Sequence, residues 1–368
     1  MNMLTSEWLP LLEKCEEALL ESLNLNGYSL VKGGPFGNSL EYRLGASWLV
    51  LEACHSQKPS LALRVPISDV FACSEHIKRL NYISEKMDEE SIAWFPSFEM
   101  KAFDFGPEPG FQPCPVMVMN WVDGEPLWRV LYRERKSPET LKGLLHQFSR
   151  LIDEMTSAGF DHGDISITNM RVMPNGMLML LDPDSLSHDD LHILQNVELG
   201  HPTWNHSQRT TKHTTDLHLI PAALMKCFIE ALIEDPDLLA VEPDPEEFFY
   251  TEEDLKDPYN SSNFDRLMGA FGLSHPPKKD LHPLFDLMAA LDGDFDNISL
   301  WLTAPEREKK NPKVTIQYLL DTKIKPRKNP NRNPNIRPIK PGKKGWNASN
   351  FAREFNFFRK HSESTKED

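Results

Sequence analysis

The residues best equipped for chemistry stand in one stretch, FDHGDISITNMRVMPNGMLMLLDPDS, residues 160–185. Asp164 follows His162-Gly163, Asn169 stands five residues later, and Asp182 thirteen residues after that. A carboxylate, an amide oxygen and a second carboxylate offer only oxygen donors, the kind Mg²⁺ takes when it rides on nucleotide phosphates. One carboxylate is then left to orient an attacking hydroxyl or accept its proton, the division of labour that phosphoryl transfer requires. A neutral Asn suits such a site, because three carboxylates around a charged nucleotide repel one another. His-Gly-Asp alone would carry little, since Gly-Asp is ordinary turn chemistry. The joint spacing carries the reading.

Those side chains need a scaffold that brings Asp182 back to the loop. Met170–Met173 and Met177–Leu181 are apolar runs separated by Pro174-Asn175-Gly176, and Asn-Gly between such runs predicts a hairpin. Folding back, it would bring Asp182 beside Asp164 and Asn169. Upstream, Ser137-Pro138 reads as a helix start, with Leu141, Leu144, Leu145, Phe148, Leu151, Ile152 and Met155 as the buried stripe and Gly159 as the stop. Further helices are expected at 215–234 and 279–291.

The first part of the chain has a different texture. Ser39–Leu44, Trp48–Cys54 and Ser60–Val65 are rich in Leu, Val, Trp and Tyr and are separated by turn residues, which predicts three antiparallel strands. A helix over 74–88 carries Ile77, Leu80, Ile83 and Met87 on one face, and 116–122 reads as a buried strand. Residues 5–23 place Trp8, Leu11, Leu12, Cys15, Leu19 and Leu23 at helical spacing, most simply a helix packed on the body.

The chain has 368 residues, which at ~150 per domain allows about two domains or one large two-lobed one. Its net charge of −15 is unevenly spread: residues 1–304 carry 23 Lys+Arg against 48 Asp+Glu, and residues 305–360 carry 16 against 4. An acidic body therefore bears a basic tail. Broad polyanion binding is not expected of the body, although the tail suits it. The stretch KIKPRKNPNRNPNIRPIKPGKKG, residues 323–345, has too few large apolar residues to fold alone. Five scattered cysteines without a CxxC pair argue against a zinc ribbon or disulfide scaffold. No apolar run approaches the ~18 residues of a membrane span. The N-terminal residues lack a basic segment followed by an apolar one, so no secretory signal is expected.

With the flanks in view, residues 160–185 resemble the catalytic loop and metal-binding motif of the protein-kinase superfamily: His-Gly-Asp, four residues, Asn, a hairpin, then a hydrophobic residue and Asp. The resemblance implies that Asp164 is the catalytic-loop aspartate, Asn169 a metal-binding asparagine, and Asp182 the aspartate on the metal that bridges the phosphates. VMVMNWVDG, 116–124, resembles the strand and hinge that cup adenine, with Asn120, Trp121 and Val122 offering backbone groups. LGASWLVLEACHSQKPSLALRV, 44–65, resembles the glycine-rich loop and the strand bearing the phosphate-binding lysine, with Gly45 in register and Arg64 at the lysine position. Asp216 resembles the buried helix aspartate that fastens the catalytic loop. ELGHPTWNHSQR, 198–209, is similar to a segment of bacterial kinase-like proteins found with tellurite-resistance-associated or helix-hairpin-helix modules.

Several positions depart from that pattern. Gly163 stands where Arg is usual, as in small-molecule kinases and several atypical bacterial protein kinases. Pro183-Asp184 replaces Phe-Gly. The later glycines of the phosphate loop are missing, and the fork of Arg64 is not the point charge of a lysine. Lys32 is a further candidate cation, Gly33–Gly37 an alternative phosphate loop, and Glu75 and Glu85 are candidate partners for Arg64.

These residues predict an α+β chain with a two-lobed protein-kinase-like fold. An amphipathic helix in 1–30 would precede a small antiparallel β lobe at 31–124; a larger, mainly helical lobe at 125–304 and a basic tail at 305–368 would follow. The expected activity is ATP- and Mg²⁺-dependent phosphorylation of a serine or threonine hydroxyl in a protein. Asp164, Asn169 and Asp182 would be catalytic, Asn169 and Asp182 would hold the metal, and Gly45, Arg64, Asn120, Trp121 and Val122 would hold the nucleotide. A pseudokinase that docks partners, and a small-molecule kinase of the aminoglycoside or choline type, remain open alternatives. The expected partners are a protein substrate or regulatory protein, and nucleic acid or another polyanion through the tail. No membrane association is expected, and the expected compartment is the cytoplasm.

Overall fold

In WLVLEACH, Leu49, Leu51 and Ala53 alternate with more polar or exposed neighbours and are fully buried, the period-two signature of a strand with one face in a core. The computed structural model describes residues 5–33, 39–45, 47–67, 73–104, 113–191, 199–210, 216–245, 248–273 and 282–293. The basic tail and most of the Gly33–Gly37 loop lie outside these residues. The chain is mixed α+β and divides into two compact units, Met1–Asp123 with Leu186–Glu198, and Gly124–Ser185 with Leu199–Asp368.

In the first unit, α1 (Thr5–Ser22) is followed by β1 (Tyr28–Leu30), β2 (Lys32–Gly33), β3 (Ser39–Leu40), β4 (Tyr42–Leu44), β5 (Trp48–His55) and β6 (Leu61–Pro66). Helix α2 (Ser74–Glu89) and strands β7 (Phe98–Phe103) and β8 (Cys114–Asn120) complete it. The main sheet runs β1-β5-β6-β8-β7, with β4 also on β5, and the described pairings are antiparallel. Leu12 and Leu19 of α1, and Leu23 just after it, share one core with Leu49, Leu51, Leu63, Val65, Val116 and Val118. The amphipathic helix is thus part of this unit's core. Its carboxylates also hold the strands: Glu16 accepts from the Leu30 amide at 3.0 Å and Glu13 from the Leu40 amide at 3.2 Å.

Strand β7 has no sequence signature, because its two buried ends, Phe98 and Phe103, are five residues apart and lie on opposite faces. Its register comes from β8, where Phe98 faces Met119 and Phe103 faces Cys114. Residues 186–191 return to this unit, where Arg79 of α2 donates to the Leu186 carbonyl and Tyr82 donates to Asp190 at 2.9 Å.

The second unit begins with β9 (Glu125–Pro126), α3 (Leu127–Glu134) and α4 (Pro138–Ser157), then β10 (Phe160–His162), β11 (Met170–Val172) and β12 (Leu178–Leu180). Helix α4 starts with Pro138 in its first turn and ends before Gly159, at φ +74°, a conformation glycine adopts without a Cβ penalty. Helix α3 was not expected, yet its buried Leu127, Val130, Leu131 and Glu134 follow helical spacing directly after Pro126. Helix α5 (Leu219–Glu234) is buried on nearly every side, as befits a helix that is apolar all round. The short α6 (Glu252–Lys256) packs on α7 (Ser262–Ala270) and α8 (Pro283–Asp292), and these two pack against α5. Phe228 of α5 meets Phe248, Phe249 and Tyr250, and Tyr250 meets Trp204 and Phe264. No helix among the described residues is long and apolar enough to cross a membrane.

Candidate active site

The hairpin expected around Asn175-Gly176 forms, with Met170 facing Leu180 and Val172 facing Leu178. Gly176 takes φ +82°, and the Asn175 side chain accepts the Met177 amide at 3.1 Å. Its return strand is tied to the loop before it, because the Leu181 amide donates to the Asn169 carbonyl at 2.8 Å. That bond sets Asp182, the next residue, beside the Asp164–Asn169 loop.

Asp164 is buried, and both of its carboxylate oxygens accept a hydrogen bond. Oδ2 takes the Asn169 side-chain amide at 2.6 Å, and Oδ1 takes the backbone N–H of His201 at 2.7 Å. Only Nδ2 of Asn169 can donate to a carboxylate, so the amide's orientation is fixed and Oδ1 is its remaining acceptor. Within the loop, the Ser166 hydroxyl lies 2.9 Å from that of Thr168, and the Asn169 amide donates to the Ser166 carbonyl.

His162 braces this arrangement from beneath. Nε2 lies 3.0 Å from the Leu181 carbonyl and 3.1 Å from that of Asp182, while Nδ1 accepts the Asp164 amide at 3.1 Å. Two carbonyls on one nitrogen and an N–H on the other assign the neutral tautomer with its proton on Nε2. Burial pushes the imidazole down to about 4, against the pull of Asp164 and the two carbonyls.

Asp182 adopts φ +73°, a left-handed conformation that costs a non-glycine residue of order 1 kcal/mol or more and concentrates at functional sites. After it, Pro183–Ser185 make a short 3₁₀ turn in which Asp184 and Ser185 are fully buried. Burial of Asp184 leaves Asp182 as the partly exposed carboxylate of the pair.

The loop is also fastened from below. Asp216 is exposed, at φ +59°, just ahead of α5. The buried acid is Asp161, which accepts the amides of Leu217 and His218 at 2.7 and 2.8 Å and the His218 ring at 2.7 Å. Burial alone would push the Asp161 carboxyl up, but the His218 charge and these N–H groups hold it below the usual range. The anchoring carboxylate therefore sits on the loop and grips the helix start. Sequence reasoning missed Asp161; its place directly before His-Gly-Asp was the available signal.

The candidate nucleotide residues belong to the first unit. Gly45 follows β4, and its N–H is committed to the Trp48 carbonyl at 2.9 Å. Arg64 is buried on the face of β6 opposite Leu63 and Val65, with its guanidinium 5.2 Å from the Trp48 ring centroid. Glu75 and Glu85 are both exposed, and the buried polar positions of α2 are His76 and Arg79. Lys32 pairs with Glu16 of α1 at 2.7 Å and so belongs to the helix–strand junction.

At the hinge-like segment, the Asn120 and Trp121 amides are already used. They donate to the carbonyls of Ser97 at 3.0 Å and Ser60 at 3.1 Å. The Trp121 ring stacks under Arg43 at 4.8 Å. Among the described residues, no backbone hydrogen bond is made by Val122, which leaves its N–H and carbonyl to offer to a ligand edge.

Among the described residues, no group of three or more His, Cys, Asp or Glu is arranged to hold a metal ion. His201 instead shares a hydrogen bond with Thr203 at 2.7 Å, and His206 is buried with Nδ1 accepting the Gln208 amide. A Mg²⁺ ion carried on phosphates needs only one or two protein carboxylates; Asp182 would supply one, and Asn169 Oδ1 a neutral oxygen donor. No protein-family model matches the chain, and no curated protein matches it.

Proposed function

We propose that the chain is an ATP- and Mg²⁺-dependent phosphotransferase with a protein-kinase-like fold, acting on a serine or threonine hydroxyl of a protein. One observation carries this reading: Asp164 is held by Asn169 at 2.6 Å and by the His201 N–H at 2.7 Å, on a loop whose Asn169 carbonyl is bonded to the residue before Asp182. Asp164 orients the acceptor hydroxyl. As the acceptor oxygen bonds to the γ-phosphorus, the bond to the β–γ bridging oxygen breaks, ADP leaves with that electron pair, and the hydroxyl proton passes to Asp164. When bound at Asn169 and Asp182, Mg²⁺ supplies charge neutralisation for the phosphate oxygens. In the first unit, Arg64 and the Val122 backbone are the groups assigned to the nucleotide, with Gly45 limited to its turn. The basic 305–368 segment suits contact with a protein partner or a polyanion.

Transfer of labelled γ-phosphate by the full chain, to itself or to generic protein acceptors, tests the reading. Asp182→Ala should abolish transfer and Asp164→Ala should lower it at least a hundredfold. An inactive wild type would defeat it, and transfer to amino alcohols alone would move it to the small-molecule kinases.

A second reading, a pseudokinase that binds partners without transfer, is favoured by the committed Gly45 amide and by Arg64 stacked on Trp48. Saturating ATP and Mg²⁺ should raise the melting temperature if nucleotide binds, by ~2–4 kcal/mol of added stability at high ligand excess. No shift at millimolar nucleotide would favour the pseudokinase.

A further inference from the structure

The phosphotransferase reading uses Asp164, Asn169 and Asp182 and leaves residues 200–209 without a task. Yet three of these residues converge on the two that matter most, Gly163 and Asp164. The His201 N–H donates to Asp164 Oδ1 at 2.7 Å. The Asn205 side-chain amide donates to the Gly163 carbonyl at 3.2 Å, and Arg209 donates to the same carbonyl. Arg209 also donates to Asn205 Oδ1 at 2.8 Å, which closes a triangle over the Gly163–Asp164 peptide. Asn205 and Arg209 are buried.

Two glycines make this convergence possible. A Cβ on Gly163 would fall 2.2 Å from Arg209 Nη2, so the guanidinium occupies the space where a side chain at 163 would begin. The arginine that kinase-like loops carry between His and Asp is absent from the sequence at 163, and an arginine from 46 residues away fills that space. Gly200 sits at φ +74°, and a Cβ there would fall 2.4 Å from the Gly163 carbonyl and 3.1 Å from Asp164 Oδ1. Only a residue without a side chain lets the chain pass so close that the next N–H reaches the carboxylate.

We propose that residues 200–209 are the positioning element for Asp164: the His201 N–H aims the carboxylate, and the Asn205–Arg209 pair fixes the peptide that carries it. The proposal rests on the phosphotransferase reading for its kinetic consequence only. A carboxylate that must meet a hydroxyl in one orientation gains from donors that hold both oxygens, because small misplacements of a reacting group cost large factors in rate.

The backbone donor can be removed selectively. His201 has φ −71°, which proline shares, so His201→Pro deletes the N–H while His201→Ala deletes only the ring. In the full chain, with folding checked by circular dichroism and thermal melting, kcat of His201→Pro should fall about tenfold or more below that of His201→Ala. KM for ATP should be the same in both. Arg209→Lys, which keeps the charge and loses the fork, should also lower kcat without changing KM for ATP. Equal kcat for the two folded His201 variants would overturn the proposal.

Failure of the phosphotransferase reading is separable from failure of this one. If the wild type transfers no phosphate, the side-chain amide resonances of selectively labelled Asn169 still report the Asp164 carboxylate 2.6 Å away. A shift of those resonances in His201→Pro and not in His201→Ala sustains the positioning role, and identical spectra end it.

Discussion

Asn169 donates its side-chain amide to Asp164 at 2.6 Å and, through the same nitrogen, to the Asp164 carbonyl at 3.2 Å. One residue thereby fixes both the carboxylate and the backbone of the proposed base, and is left with a single oxygen to present elsewhere. This relation explains why an amide and not a third carboxylate occupies position 169. An aspartate there would face Asp164 with like charge and no donor.

Asn169→Asp is therefore expected to lose at least tenfold in transfer, since it replaces a hydrogen-bond donor to Asp164 by a like charge. Steady-state kinetics check this, and Asn169→Ala, which also removes the donor, should lose activity too.

Asp182 stands at φ +73°, so its side chain is kept at a conformational cost. Asp182→Gly should abolish transfer while raising stability by up to about 1 kcal/mol, because glycine takes this conformation without steric penalty. Chemical unfolding of the variant beside the wild type measures it. A large loss of stability would mean the Asp182 side chain is structural.

The two glycines of the loop bracket differ in what a methyl group would meet. At Gly163 the nearest atoms are the end of the Arg209 side chain, whereas at Gly200 they include the Gly163 carbonyl, and φ is +74°. Gly200→Ala should thus cost more than Gly163→Ala, with overpacking of about 1–3 kcal/mol in each and a backbone penalty in the first alone. Paired denaturation curves give the order, and reversal of it would contradict the packing described.

His162 sets the acid side of the stability profile. Its ring titrates near 4 in the folded chain against 6.5 for the ordinary value, so the unfolded chain binds a proton between these values that the folded chain refuses. Stability is full above about pH 6.5 and should fall by roughly 3 kcal/mol as pH drops to 4. Asp161, held below the usual carboxylate range, adds a further loss at still lower pH. Urea unfolding at pH 7.5, 6 and 5 should trace the slope, and His162→Gln, which cannot take up the proton, should flatten it.

Much of the site could be read directly because it is local. Asp164, Asn169 and the hairpin after them lie within some twenty residues, and the Asn-Gly turn between apolar runs allows few other conformations. Leu-, Val- and Trp-rich runs between turn residues marked β5 and β6, and the apolar stripe marked α4. Strand β7 escaped, since its pairing partner and not its own pattern places it.

The chain's own order of residues determined the acid–amide–acid spacing, the hairpin that folds it back, and the contrast between an acidic body and a basic tail. Only the tertiary structure decided which groups surround that spacing. Asp161 anchors the loop, Arg64 lies against Trp48, and the space beside Gly163 belongs to Arg209. The physical reason is range. Turns and periodic faces are set by neighbours a few residues apart. A bond such as that from His201 to Asp164, spanning 37 residues, exists only once packing has closed the chain between them.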